Sequence, residues 1–372
     1  MSVKSRYMEI FYCGGQIMLY NGRNIYEDNP SCADERRVAY LRGIEAYVER
    51  KRRQAREIRA ENVLRCDFFK NISSYRKIYR DMLGIDTFFT ESVPNTERTY
   101  VGTDDLCDIY RLRVFITPEI PMYALLFLPK NKDRVPLIIA QHGGGGTPEL
   151  CSDLTGKNNY NHMVQRLLSR GAAVIAPQLL LWSEEETETF RAHPIKYNRQ
   201  EQDKKLKHIG ASITALEIAG IIRCIDYGCT LAEVDRDKIG MVGSSYGGYF
   251  TLHTMAADTR IKSGCIFAVF NDRDVYDWND WCYNGSAFLF HDAEVAALCA
   301  PRRLWVSVGR QDGVFDYRTA EPEGERMLGY FAALGCSSNV RFSVWDGGHT
   351  IESSEECYDF MFDAFNDQEK AL

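Results

Sequence analysis

No apolar run in this sequence is long enough to cross a bilayer. The first residues, MSVKSRYMEIFYCGGQIMLYNGRN, alternate polar and apolar groups and lack the uninterrupted stretch of a signal peptide. Both absences lead to the expectation of a cytoplasmic protein with no membrane partner. Positive charge is also in short supply: 45 Lys and Arg against 52 Asp and Glu leave a formal net charge of -7. That balance gives no basic footprint and argues against nucleic acid as a partner. The 12 cysteines include no C-x-x-C pair and no tight Cys/His cluster, so no zinc site is legible and no metal or other cofactor is expected. Buried reduced thiols are the simpler reading, because a chain of this size folds without disulfides. No internal repeat or low-complexity linker stands out.

What remains is a chain of 372 residues, 45% hydrophobic and 26% charged, with enough apolar material for one enzyme-sized core plus an extension. The texture changes near residue 100, which divides an N-terminal helical extension, residues 1–100, from a catalytic domain, residues 101–372. In the extension, Val38, Leu41, Ile44 and Val48 recur at spacings of three and four between Asp34 and Ala60 and predict a helix with a narrow buried stripe. Its run Arg50-Lys51-Arg52-Arg53 reads as a solvated face, since Glu45, Glu49 and Glu57 surround it. A second helix, Ser74 to Leu83, places Tyr75, Ile78 and Met82 on one side and stops at Gly84. These helices are expected to pack on the catalytic domain or to join subunits in a homo-oligomer.

Beyond Asp108 the period becomes two, with Tyr110, Leu112, Val114 and Ile116 alternating with polar residues, and Met122 to Leu128 follows as an antiparallel partner. Short continuous apolar runs then alternate with helical segments: Leu137–Ala140, Ala172–Ala176, Ile239–Val242, Cys265–Phe270, Leu304–Val308 and Val340–Val344. Such runs predict strands buried on both faces of a mostly parallel, doubly wound α/β sheet with flanking helices. In such sheets, ligands sit at the carboxyl ends of the strands.

One of these ends carries Gly243-Ser244-Ser245-Tyr246-Gly247, a strand running into Gly-x-Ser-x-Gly and then a helix. The glycines allow strand and helix to approach while Ser245 takes a strained turn that exposes its hydroxyl, which makes Ser245 the candidate nucleophile. A serine hydroxyl needs a base, and the base needs an orienting acid. In chains with this elbow the order is serine, acid, histidine. His349 lies in a glycine-rich loop after the last strand and is the expected base; His253 falls inside the elbow helix, and His291 has no strand immediately ahead of it. Asp312 follows the strand Leu304–Val308 and is the expected acid, ahead of Asp272, Asp274, Asp277, Asp316 and Asp346. The stretch Gln141-His142-Gly143-Gly144-Gly145-Gly146 ends an earlier strand, and with Tyr246 it supplies the expected oxyanion donors, Gly143 and Gly144. His142 is expected to brace that turn. No Gly-Lys-Ser/Thr follows, so the glycines are not a phosphate loop.

Taken as an ordered set, these motifs resemble the dienelactone hydrolase and acetyl xylan esterase branch of the α/β-hydrolase superfamily, across roughly residues 105 to 365. The set includes His142 to Gly146, the approach Val234 to Gly240, Asp258-Thr259-Arg260, Ala300-Pro301-Arg302, Asp312 and His349. The resemblance implies an α/β-hydrolase fold and metal-independent hydrolysis of small carboxylic esters by a Ser-His-Asp triad. Dienelactone hydrolases carry a cysteine at the elbow, so Ser245 points to an acyl or acetyl esterase. A peptidase or amidase like the prolyl oligopeptidases stays open, although no propeller-blade repeat precedes residue 100; so does an inactive hydrolase fold that only binds. Leu179 to Lys207 and Asn271 to His291 are the expected walls of the substrate site, with Trp182, Trp278 and Trp281 as candidate stacking surfaces beside Tyr276 and Tyr283.

Overall fold

The computed structural model describes residues 17–20, 23–26, 30–64, 67–130, 134–155, 160–181 and 198–366. The chain divides into two compact units, Met1–Glu57 and Ile58–Leu372. The first holds an antiparallel hairpin, β1 (Ile17–Tyr20) and β2 (Arg23–Tyr26), which periodicity did not suggest. The helix Pro30–Leu64 runs across the division and encloses the expected Asp34–Ala60 span. Its predicted buried stripe is not buried: Val38, Leu41, Ile44 and Val48 are all exposed. Residues 58–100 belong with the larger unit rather than with an extension. The reason is packing, since Tyr79, Leu83, Ile85 and Phe88 lie in the main core.

The second helix spans Ile72–Leu83 and ends where Gly84 adopts φ 82°, a left-handed cap whose N–H returns to the Arg80 and Asp81 carbonyls. Its buried side is set by Tyr79 and Leu83, with Tyr75 and Met82 partly covered, while Ile78 points to solvent. The stripe therefore lies about one position away from the predicted one.

Nine strands form the central sheet: β3 (Glu97–Thr103), β4 (Cys107–Thr117), β5 (Ile120–Pro129), β6 (Val135–Gln141), β7 (Ala173–Pro177), β8 (Val234–Ser244), β9 (Ile261–Phe267), β10 (Arg303–Gly309) and β11 (Val340–Trp345). Their order is β11-β10-β9-β8-β6-β7-β5-β4-β3. The strands β3, β4 and β5 are antiparallel to one another and β5 is antiparallel to β7; all the pairs from β7 through β11 are parallel. The expected central strands are buried along their length, but β11 is an edge strand and is only partly covered after Val340. Chain order reverses at β6, with β7 on one side and β8 on the other, and this is where a doubly wound sheet opens a crevice.

The register then fixes the neighbourhood. Gln141 pairs with Gly243, Ser244 with Phe267, and Gly309 with Trp345, so five chain segments emerge side by side from the carboxyl ends. Arg302 ties the opposite ends of β9 and β10 together, donating to the Asp258, Ile261, Leu298 and Cys299 carbonyls. Beneath the elbow, the helix Tyr246–Ala257 is buried at every residue. Its His253 is a packed core group, as the sequence suggested, with Nδ1 against the Tyr79 hydroxyl and its ring stacked 3.8 Å from that of Tyr249. The nine cysteines described are all free, and most are buried.

Two buried histidines make acid stability a test of this core. Burial pushes His142 down to about 4 and His253 well below the ordinary histidine value. The unfolded chain protonates such a group near pH 6.5 and the native state refuses the proton, so stability is complete above 6.5 and is lost as pH falls to about 4. For His142 alone the expected loss is about 3 kcal/mol. Urea unfolding at pH 7, 5.5 and 4 should show this decline in the parent and a shallower one in His142→Asn; coincident slopes would assign the effect elsewhere.

Candidate active site

Ser245 has φ 57° and ψ -126°, a backbone conformation rarely open to residues with a side chain. It is held there by its N–H, which donates to the Phe267 carbonyl at 2.9 Å, and by contacts that only glycine permits. A methyl group on Gly243 would lie 2.3 Å from the Gly247 carbonyl oxygen, and one on Gly247 would lie 2.1 Å from that of Gln141. The elbow glycines are therefore required by close backbone approach. Ser244, by contrast, is buried at the strand end.

The glycine loop after β6 lies against the elbow. A methyl group on Gly143 would stand 3.0 Å from the Ser245 Cβ. His142 braces this loop: its Nδ1–H donates to the Gly143 carbonyl at 2.9 Å and its Nε2 accepts the Leu179 N–H at 3.0 Å. Only the neutral imidazole can do both, which agrees with its depressed pKa. The Gly143 N–H, expected as an oxyanion donor, is committed to the Tyr160 hydroxyl at 2.9 Å. Among the described residues neither the Gly144 nor the Gly145 N–H has a hydrogen-bond partner.

On the other side of the elbow, His349 and Asp312 meet. Asp312 Oδ2 accepts from His349 Nδ1 at 2.9 Å, while Oδ1 accepts the Val314 and Phe315 N–H groups at 2.7 and 3.0 Å. The Asp312 side chain is 1% exposed and that of His349 is 25% exposed, so the acid is enclosed and the base is open. Neither rival near the strand ends makes this contact: Asp316 caps the helix Tyr317–Ala333, and Asp346 accepts from Gln311. The loops after β10 and β11 are themselves joined, Arg310 N–H to Trp345 and Gln311 N–H to Gly347. A series of ring contacts connects the two sides of the site, from Tyr246 to Trp278 at 5.7 Å, Trp278 to Phe315 at 5.7 Å and Phe315 to His349 at 5.8 Å.

The predicted aromatic wall divides in two. Trp278 is partly exposed, whereas Trp281 is 4% exposed and sits between the rings of Tyr249 and Trp278 with the Arg273 guanidinium 4.3 Å from its centroid. Trp281 supports the wall instead of forming its surface. Trp182 lies outside the described residues.

Sequence reasoning missed a buried ionic clamp behind Tyr246. The Tyr246 hydroxyl donates to the Asp280 carboxylate at 3.1 Å, and Asp280 accepts from Arg199 Nε at 2.8 Å. Arg199 also donates to Glu217 at 2.8 Å and to the Leu180 carbonyl at 2.7 Å. Burial and the Asp280 carboxylate hold the Tyr246 hydroxyl well above the ordinary tyrosine range, so it remains a donor. Arg199 and Asp280 fall inside the two segments expected as walls, but pairing across 81 positions leaves no local signal. Among the described residues, Asp272, Asp274 and His291 form a grouping that could hold a metal, with ligand-type atoms within 4.8 Å of one another. The Arg59 guanidinium stands 3.9 Å from the Asp274 carboxylate and already supplies positive charge there.

No family model matches the chain, and no curated protein matches it in sequence. Solved structures do match it in fold. Methylesterase BT1017 has a TM-score of 0.62 at 20% identity, over 83% of this chain and 66% of its own. A glucuronoyl esterase from Solibacter usitatus has 0.55 at 15% identity, over 77% and 92%. Acetyl Xylan Esterase 1 from a Thermoanaerobacterium species has 0.54 at 16% identity, over 79% and 94%. With its sheet order, its elbow and these structural likenesses, the chain is a member of the α/β-hydrolase fold.

Proposed function

We propose that the protein is a serine hydrolase of small carboxylic esters, with an acylated or methylated carbohydrate as the substrate class. The observation that carries this reading is the enclosed Asp312 bonded to the open His349, at the same carboxyl end of the sheet as a serine held at an elbow. In this mechanism His349 takes the Ser245 proton as the oxygen attacks the ester carbonyl, and Asp312 stabilises the imidazolium that forms. The Gly144 and Tyr246 backbone N–H groups receive the developing oxyanion. The intermediate collapses as the alcohol leaves with the proton from His349. Water, deprotonated by the same histidine, then cleaves the acyl-enzyme and releases the acid.

The substrate class is supported by the space beside Tyr246. A cavity of about 460 Å³ is lined by Gln200, Tyr246, Asp277, Trp278, Asn279 and Asp280. One indole face among amide and carboxylate groups suits a sugar ring, which stacks its C–H face and hydrogen-bonds its hydroxyls. The solved structures of similar fold named above are a methylesterase, a glucuronoyl esterase and an acetyl xylan esterase. A peptidase reading has no comparable support.

Labelling with a fluorophosphonate probe should be complete in the parent and absent in Ser245→Ala, and His349→Ala should lower kcat by about 10⁴-fold or more toward p-nitrophenyl acetate. Persistent labelling of Ser245→Ala would reject the nucleophile, and turnover of peptide amides but not sugar acetates would reject the ester class. The clamp behind Tyr246 gives a separate expectation. Tyr246→Phe keeps the ring and the backbone N–H but loses the bond to Asp280, so kcat should fall roughly tenfold with KM little changed. Asp280→Asn should retain more activity than Asp280→Ala, and equal loss in both would deny the carboxamide-rescuable positioning role.

A further inference from the structure

Five large apolar side chains stand in solvent on one face of the helix Pro30–Leu64. Tyr40 is 75% exposed, Leu41 58%, Ile44 46%, Tyr47 55% and Val48 40%. At 100° per residue they fall within an arc of about 120°, a single stripe of more than two turns. Isolated exposed apolar groups are ordinary, but a contiguous stripe rimmed by charge marks a surface made to be covered. The basic run Arg50–Arg53 follows directly, with Arg50 and Lys51 lying 5.0 and 5.9 Å from the Tyr47 ring centroid. None of these residues belongs to the hydrolytic site.

We propose that this stripe is a dimer contact, covered by the same stripe of a second copy of the chain in antiparallel orientation. The charge layout selects that orientation. Asp34 and Glu35, followed by Arg36 and Arg37, precede the stripe, and Arg50, Lys51, Arg52 and Arg53 follow it. A parallel pair would set each basic run beside its own copy, at a Coulombic cost, whereas an antiparallel pair sets acidic residues of one chain beside basic residues of the other at both ends. Leu41, Ile44 and Val48 occupy alternating seam positions of a heptad, with Arg37 and then Asp34 continuing the seam on one side and Lys51 on the other. In one antiparallel register Leu41 faces Ile44 of the second copy and Asp34 faces its Lys51. The ion pairs already present, Asp34 with Arg37 at 2.6 Å and Glu49 with Arg53 at 2.9 Å, lie along one helix and are well exposed. Such pairs hold little energy and are readily exchanged for pairs across a contact. The contact uses the same patch on both chains, so it closes at two copies.

Sedimentation equilibrium of the full chain should give twice the mass of one chain at about 100 µM, a concentration that populates a dimer of micromolar affinity. Leu41→Glu and Ile44→Glu should each weaken the dimer by about 30-fold or more while circular dichroism and esterase activity stay unchanged. The charge reversal Lys51→Glu/Arg52→Glu should weaken it about tenfold, and adding Asp34→Lys/Glu35→Lys to the same chain should restore it. A monomeric parent at this concentration, or a dimer indifferent to Ile44→Glu, would overturn the proposal. Unfolding of the Ile44→Glu monomer would also overturn it, because the stripe would then be covered by the chain's own residues. Failure of the double reversal to restore association would overturn the antiparallel arrangement.

Discussion

The closeness of three backbones around Ser245 is the constraint from which the rest of the site follows. The strand β8, the helix after it and the end of β6 approach so tightly that side chains are excluded from Gly243 and Gly247. That proximity costs conformational strain at Ser245, of order 1–3 kcal/mol. It is sustained because the helix is buried over its whole length, β8 is buried from Ile239 to Ser244, and the Ser245 N–H is anchored to β9. Once the serine is fixed, the parallel register of β8, β9, β10 and β11 determines where an acid and a base can stand. Asp312 and His349 are the residues that the ends of β10 and β11 present.

A second layer of the site is ionic and hidden. Arg199, Glu217 and Asp280 are nearly closed to water, which makes each charge expensive unless its partners are in place. Here every partner is in place, and the trio gains geometry in return: it joins Leu180, the start of the helix Arg199–His208, and the hydroxyl of Tyr246, the residue next to Ser245. Arg273 with Asp292 does the same for the loop that carries Trp278 and Trp281. Low local dielectric strengthens such bonds and penalises any arrangement in which one is broken, so the wall near the elbow has a single preferred position.

What could be read from the sequence divides along the same lines. The elbow, the glycine loop, Asp312 and His349 were legible because each is a local pattern at a strand end, and strand ends were visible as short apolar runs. Tyr160 and the Arg199–Asp280–Tyr246 clamp were not, since a long-range pair leaves no trace in spacing. The helix Pro30–Leu64 shows a different limit. Periodicity reports that a face is apolar; it says nothing about what covers it, and the residues predicted to be buried are exposed. The boundary near residue 100 followed a change in period, whereas Tyr79 and Leu83 show that the main core recruits helices from ahead of that change.

The central sheet is open, and its two outermost strands deserve separate thought. Among the described residues each has a neighbouring strand on one side only, and an unpaired strand edge is the template on which strands of separate molecules join into aggregates. On β3 the row is flanked by Glu97 and Arg98, with Glu97 paired to Arg113 and Arg98 lying over the Tyr110 ring. On β11 Arg341 lies over Phe360 beside the exposed backbone. Any strand that docked on either edge would have to strip these charges of water. The same arginines that cover aromatic rings in the folded molecule are therefore placed to oppose edge-to-edge pairing of the sheet.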